Sequence, residues 1–193
     1  MSLFDFAETF VLLDLEYTAW EGSKDRNWSG ENEHREVVQI AAIKVKTSSL
    51  QETDHTMQLV KPKIHPKLSE YFINLTGISQ DQINRNGVEF RQALKNFSVW
   101  VENLDVYSFG RDEEVFQENC ELIGISFNLK NRFFDTRDVF NKYGIPAQDY
   151  NSGNITEAFG IKTQRRAHDA LNDVRTVLDG LVLLSEINIK DRL

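Results

Sequence analysis

The first regular pattern in the chain is a short apolar run over residues 10–13, closed by Asp14, Leu15 and Glu16. A run this short, bounded by polar residues, predicts a strand over 10–15 that is buried in a sheet. The polar stretch 21–36 reads as a connecting loop. "EVVQIAAIKVKT" and "ETDHTMQLVKP" then predict two further strands, the first ending in partial alternation. Prolines punctuate the next stretch, and a short helix or turn closes at Gly77. Phe90, Leu94, Phe97, Val101 and Leu104 recur at helical spacing. "DVYSFG" predicts another short strand, and "DEEVFQENCELIGI" a helix striped by Val115, Phe116, Cys120 and Ile123. "FFDTRDVFNKYG" reads as a strand edge running into a helix that ends at Gly144, with Pro146 just beyond. The last long helix carries Ala170, Leu171, Val174, Leu178, Leu181 and Leu184 on its apolar stripe. Three strands followed by alternating helices and strands predict an α/β fold with a mixed sheet flanked by helices.

Composition narrows this picture. At 193 residues, with 40% apolar and 27% charged residues, the chain suits one domain with a real core. No repeat or linker divides it, so a single domain over 1–193 is expected, with its core at about 8–187. No apolar run approaches the ~20 residues of a membrane span, and the N-terminus lacks the basic-then-apolar pattern of a secretory signal. Cys120 is the only cysteine, which excludes an intrachain disulfide and fits a reducing cytoplasm. The net charge of −8 excludes a broad basic surface that coats nucleic acid. It does not exclude a local grip on phosphates, because a carboxylate site filled by divalent cations reverses its own field.

The candidate chemistry lies in the carboxylates. Residues two apart on a strand face the same side, so Asp14 and Glu16 project together. Such a pair resists ionisation unless a cation sits between its members, and hard ions such as Mg²⁺ accept these oxygens. Acidic residues at a strand end meeting solvent are the plain alternative. Asp173 lies five residues beyond His168, a spacing that leaves two helical side chains well apart around the axis. The two converge only if His168 lies at the entrance of the terminal helix and Asp173 points inward from its first turns. Otherwise His168 is an exposed loop residue and Asp173 a favourable charge near a helix N-terminus. Asp112 begins the helix after "VYSFG", as either a helix N-cap or a metal-site carboxylate.

Taken in order, these segments resemble the DEDDh 3′–5′ exonucleases of the DnaQ-like, ribonuclease H-like superfamily, and within them the Eri-type and KapD-like branch. "DLEYTAW" resembles the first motif of that family, "SFGRDEEVFQENC" the second, and "RRAHDALNDVRT" the third with its His-x4-Asp spacing. "EVVQIAAIKV" and "LVKPKIHPKLSEYFINLTGISQDQI" are similar to the branch's intervening segments, so the resemblance covers roughly residues 10–184. It implies a ribonuclease H-like mixed five-stranded sheet flanked by helices. It also implies that Asp14, Glu16, Asp112 and Asp173 hold two Mg²⁺ or Mn²⁺ ions and that His168 is the general base. Leu15, Thr18, Trp20, Leu75 and Thr76 would lie beside the terminal nucleotide, although Trp20 also reads as core and "LTGI" as an ordinary turn.

Two departures stand out. The second motif is one residue short between Gly110 and its acid, which makes Glu113 a rival to Asp112; aligning Asn119-Cys120 with the motif's end favours Asp112. Gln39 stands where relatives often carry an acid. The activity implied is metal-dependent hydrolysis of single-stranded RNA or DNA from the 3′ end to 5′-nucleoside monophosphates. A catalytically weak nucleic-acid-binding module of the same fold and a proofreading-type DNA exonuclease are the alternatives. Arg165, Arg166 and the basic run "KPKIHPK" offer phosphate contacts, though a solvated basic loop explains them equally.

Overall fold

β1 (Thr9–Tyr17) runs through the middle of a mixed six-stranded sheet in the computed structural model, which describes residues 4–190. On one side it pairs antiparallel with β2 (Val37–Lys46), which pairs antiparallel with β3 (Gln51–Lys61). On the other side lie β5 (Val106–Ser108) and β6 (Phe133–Asp135), both parallel. β4 (Val88–Glu89) adds itself parallel to the end of β3, giving the order β4-β3-β2-β1-β5-β6. The sequence predicts five strands. The sixth, β4, is two residues long and leaves no periodicity to read.

Helices cover both faces, which is why β1 is apolar on both. Val11, Leu13 and Leu15 pack with α3 (Phe90–Val101) and α4 (Asp112–Leu122), through Phe97, Val101, Val115 and Phe116. Phe10 and Leu12 face the other way and pack with α6 (Ala170–Lys190) through Val174, Val177, Leu178 and Leu181. α5 (Thr136–Lys142) adds Phe140 to that second cluster. Burying each such large side chain stabilises the fold by about 1.5–3 kcal/mol. The expected domain limits, 1–193, run past the described residues at both ends. Among the described residues no helix is long and apolar enough to cross a membrane.

Two short helices, α1 (Glu70–Thr76) and α2 (Gln80–Asn86), follow the proline-punctuated stretch. α1 is capped by the Ser69 side chain and ends at Gly77, whose φ of 76° is the left-handed conformation that favours glycine. α2 opens with a capping box between Ser79 and Gln82, a signature present in the sequence. Only Ile83 of α2 is buried, too little apolar content to show as a stripe.

Candidate active site

Alternation along β1 decides where its acids go. Asp14 and Glu16 share the face of Phe10 and Leu12, which is the face packed against α6. The apolar half of that face anchors the strand, and the acidic half meets the start of α6. Since β1, β5 and β6 run parallel, their carboxyl ends lie side by side, where α/β sheets bind ligands. α4 starts four residues after β5 and brings Asp112 to the same place. The result is a cleft of about 680 Å³ lined by Asp14, Glu16, Asp112, His168 and Asp173, among others.

His168 lies two residues before α6, and Asp173 is in that helix's first turn. The backbone N–H of His168 donates to Oδ2 of Asp173 at 3.2 Å, closing the loop onto the helix. This holds His168 in the left-handed region, at φ 60°, where a non-glycine residue is strained. One ligand atom from each of Glu16, His168 and Asp173 falls within 4.8 Å of the others. Asp112 is the first residue of α4 and makes no capping hydrogen bond, because Arg111 holds the N-cap position; the capping role open to it in the sequence is not adopted. Glu113 instead accepts from Nε2 of Gln117, one turn along the helix, and does not line the cleft.

The electrostatics of this cluster follow from burial and like charge. Asp14 is held well above the ordinary carboxylate range by burial first, then by Asp112, Asp173 and Glu16. Glu16 is pushed up to about 8 by burial, Asp173 and Asp112. Asp112 rises to about 7 through burial and then Asp135, with Arg35 and Arg137 opposing. Asp173 rises to about 7 chiefly through burial, opposed by the His168 N–H. His168 moves the other way: burial, then Lys24 and Arg166, hold it below its usual value and so favour the neutral imidazole. Four acids raised together want a cation. Oδ1 of Asp173 is buried without a hydrogen-bond partner, a cost that a bound cation removes. The four acids offer only carboxylate oxygens, a donor set that fits a hard divalent ion.

Of the five residues expected beside a nucleotide, Leu15 and Leu75 line the cleft, while Thr18, Trp20 and Thr76 do not. Each of the latter is engaged in the supporting structure. The Thr18 hydroxyl donates to the His34 carbonyl at 2.5 Å and accepts from the Glu36 N–H at 3.0 Å. The Thr76 hydroxyl donates to the Phe72 carbonyl and accepts from the Ile78 N–H, and the Trp20 ring sits edge-on to His65 at 4.8 Å.

Several cleft residues carry no signal in the sequence. The Ser152 hydroxyl reaches Oδ2 of Asp173 at 3.4 Å, from a turn that shows no periodicity. Tyr17, Trp28 and Arg35 build one wall, with the Arg35 guanidinium 5.9 Å from both ring centres and paired with Glu118. Asp135 caps α5, accepts from the Gly110 N–H and pairs with Arg137, which also faces the cleft.

Gln39 has a definite place. It is opposite Glu16 in the β1–β2 register, 4% exposed, and its Oε1 accepts the N–H of Ala170, the first residue of α6, at 3.1 Å. A neutral side chain here docks the helix bearing Asp173 without adding a further buried charge. Gln39→Leu leaves that N–H unpaired and is expected to cost about 1–3 kcal/mol, read as a lower midpoint in urea with an unchanged slope.

The Exonuclease (RNase_T) family model matches residues 11–180. The chain is 26% identical over 184 residues to the 3′-5′ exoribonuclease 1 of Rattus norvegicus, an alignment covering 89% of this chain and 51% of that protein. It is 30% identical over 197 residues to the 3′-5′ exonuclease Snipper of Drosophila melanogaster, covering 86% of this chain and 66% of that one. The chain thus spans about half the length of the exoribonuclease relatives it matches. The crystal structure of the nuclease domain of 3′hExo, a DEDDh family member, bound to rAMP, superimposes with a TM-score of 0.80 at 23% identity, over 95% of this chain and 94% of the other. With the motifs in order, the carboxylates on one cleft and a family match over most of its length, this chain belongs to the exonuclease family.

Proposed function

We propose that the chain, as a single exonuclease domain, hydrolyses single-stranded RNA or DNA from the 3′ end and releases 5′-nucleoside monophosphates. The observation that carries this reading is the gathering of Asp14, Glu16, Asp112 and Asp173, from three distant parts of the sequence, around one cleft with His168. Two Mg²⁺ or Mn²⁺ ions held by these four carboxylates would supply charge neutralisation at the phosphate and lower the pKa of the attacking water. Four negative charges balanced by two divalent ions make the site tolerable to a polyanionic substrate.

The chain's own residues do the rest. His168, biased towards the neutral form, accepts the proton of the attacking water at its side-chain nitrogen. Asp173 fixes the His168 loop through Oδ2 and keeps Oδ1 free for a cation. Leu15 and Leu75 offer apolar contacts to the terminal nucleotide, and Thr18, Trp20 and Thr76 brace the segments that present them. The Tyr17–Trp28 wall provides ring faces on which bases stack without regard to sequence.

Gly153 shows how close the packing behind Asp173 is. A Cβ there would lie 2.8 Å from Oδ1 of Asp173 and 3.0 Å from Cβ of Ala167, the neighbour of His168. Gly153→Ala should displace both functional groups at once. The expected result is a fall in kcat of about 10–100-fold with little change in KM, measured on a 5′-labelled oligonucleotide.

The reading is tested by degradation time courses on 5′-labelled and 3′-labelled RNA and DNA oligomers, with Mg²⁺ and with EDTA. A ladder of shortened 5′-labelled products, mononucleotide from the 3′ label and silence in EDTA are expected. Absence of metal-dependent shortening on every oligomer, or shortening from the 5′ end, would refute the assignment.

A further inference from the structure

The cations around the cleft fall into two sets. Arg35 is paired with Glu118, Arg111 with Glu114 at 2.9 Å, and Arg137 with Asp135 at 2.5 Å. Lys24, on the cleft lining, and Arg166, two residues before His168, form no ion pair among the described residues. The contrast with the adjacent Arg165 is direct, since that side chain is bound to Asp179. Sequence alone treats the two arginines alike, and the structure separates them.

Arg166 is also placed. A Cβ on Gly77 would land on its guanidinium, so the side chain reaches from the loop before α6 onto the C-terminal turn of α1. That turn presents Leu75 to the cleft. Lys24 comes from the loop after β1 and lines the same cleft as His168. Two exposed, unpaired cations therefore belong to the segments that border the cleft, one on its lining and one against the α1 turn that presents Leu75, on a chain of net charge −8. A polyanion approaching such a surface needs local positive charge, and these two residues supply it.

From this we infer that Lys24 and Arg166 clamp the backbone phosphates of the strand beyond the scissile linkage, where it passes His168 on leaving the carboxylate cluster. The inference rests on the nucleic-acid reading above but concerns binding, so it can be tested without turnover. Each phosphate neutralised on a single strand contributes about 0.7 to the slope of log affinity against log salt.

The experiment measures binding of a fluorescent single-stranded oligonucleotide, protected by phosphorothioate at its 3′ linkages, in Mg²⁺ across a range of salt. Arg166→Gln should lower the slope by about 0.7 and Lys24→Gln/Arg166→Gln by about 1.4, with Arg166→Lys restoring it. Arg165→Gln should keep the parent slope. If the parent protein degrades an unprotected oligomer while Arg166→Gln and the double variant keep its slope, the clamp is wrong and the exonuclease reading stands. If no oligomer is degraded yet the slope falls as described, the clamp stands and the activity does not. A reduced Tm for Arg166→Gln with an unchanged slope would mean the residue only braces α1, and would also overturn the clamp.

Discussion

His168→Ala is expected to lower kcat by about 10²–10⁴-fold, the range typical of a lost general base, while KM stays within a few-fold of the parent. The side chain is half-buried at the cleft and its own N–H, not its ring, ties the loop to Asp173. Alanine preserves that N–H and the backbone path, so Tm should move by only a few degrees and Mn²⁺ should still bind. Steady-state kinetics on a labelled oligonucleotide, together with a melting curve, separate a chemical role from a structural one. Turnover undiminished in a folded variant would remove His168 from the mechanism.

In EDTA, the Tm of the parent protein should fall by about 8–15 °C between pH 6 and pH 8, a change that saturating Mg²⁺ suppresses. The sign follows from linkage. Glu16 rises to about 8 and Asp173 to about 7 in the folded chain, against ordinary carboxylate values near 4 in the unfolded one. Between those limits the folded state holds more protons than the unfolded state, so stability declines as pH rises. The contribution is complete below the unfolded values and lost as pH passes through 7 to 8. Each extra proton retained is worth about 1.4 kcal/mol per pH unit, and a chain of this size loses about 2–4 °C per kcal/mol. Glu16→Gln, neutral at every pH, should flatten part of the decline and raise Tm in EDTA at pH 8 while abolishing turnover. Differential scanning across pH, with and without Mg²⁺, checks each arm. A flat profile in EDTA would mean that the acids are not held together as described.

Much of the fold could be read from local pattern because its elements are long and striped. β1, β2 and α6 each carry enough apolar residues at one spacing to declare themselves. β4, with two residues, and α2, with one buried side chain, do not. The acids of β1 could be paired from strand geometry alone, since Asp14 and Glu16 are two residues apart. Bringing Asp112 and Asp173 to them required the parallel β1–β5 pairing and the packing of α6, which are tertiary facts carried only by the family resemblance. Asp112 and Glu113 are adjacent acids that no spacing rule ranks; the helix start sends one into the cleft and the other along its own axis. Ser152, Gly153 and Arg35 act through contacts with residues remote in sequence, so no local motif announces them. Thr18 and Thr76 present the opposite case. Their place in a motif suggests a ligand contact, while their hydroxyls are occupied by the backbone.

The central claim is that four carboxylates from three segments form one site for a pair of divalent cations beside His168. Calorimetric titration of the metal-free protein with Mn²⁺ tests it most directly. Two ions per chain are expected, with Asp14→Asn and Asp173→Asn each weakening or abolishing that binding and His168→Ala leaving it nearly intact. No measurable Mn²⁺ binding, or binding indifferent to both Asp14→Asn and Asp173→Asn, would contradict it.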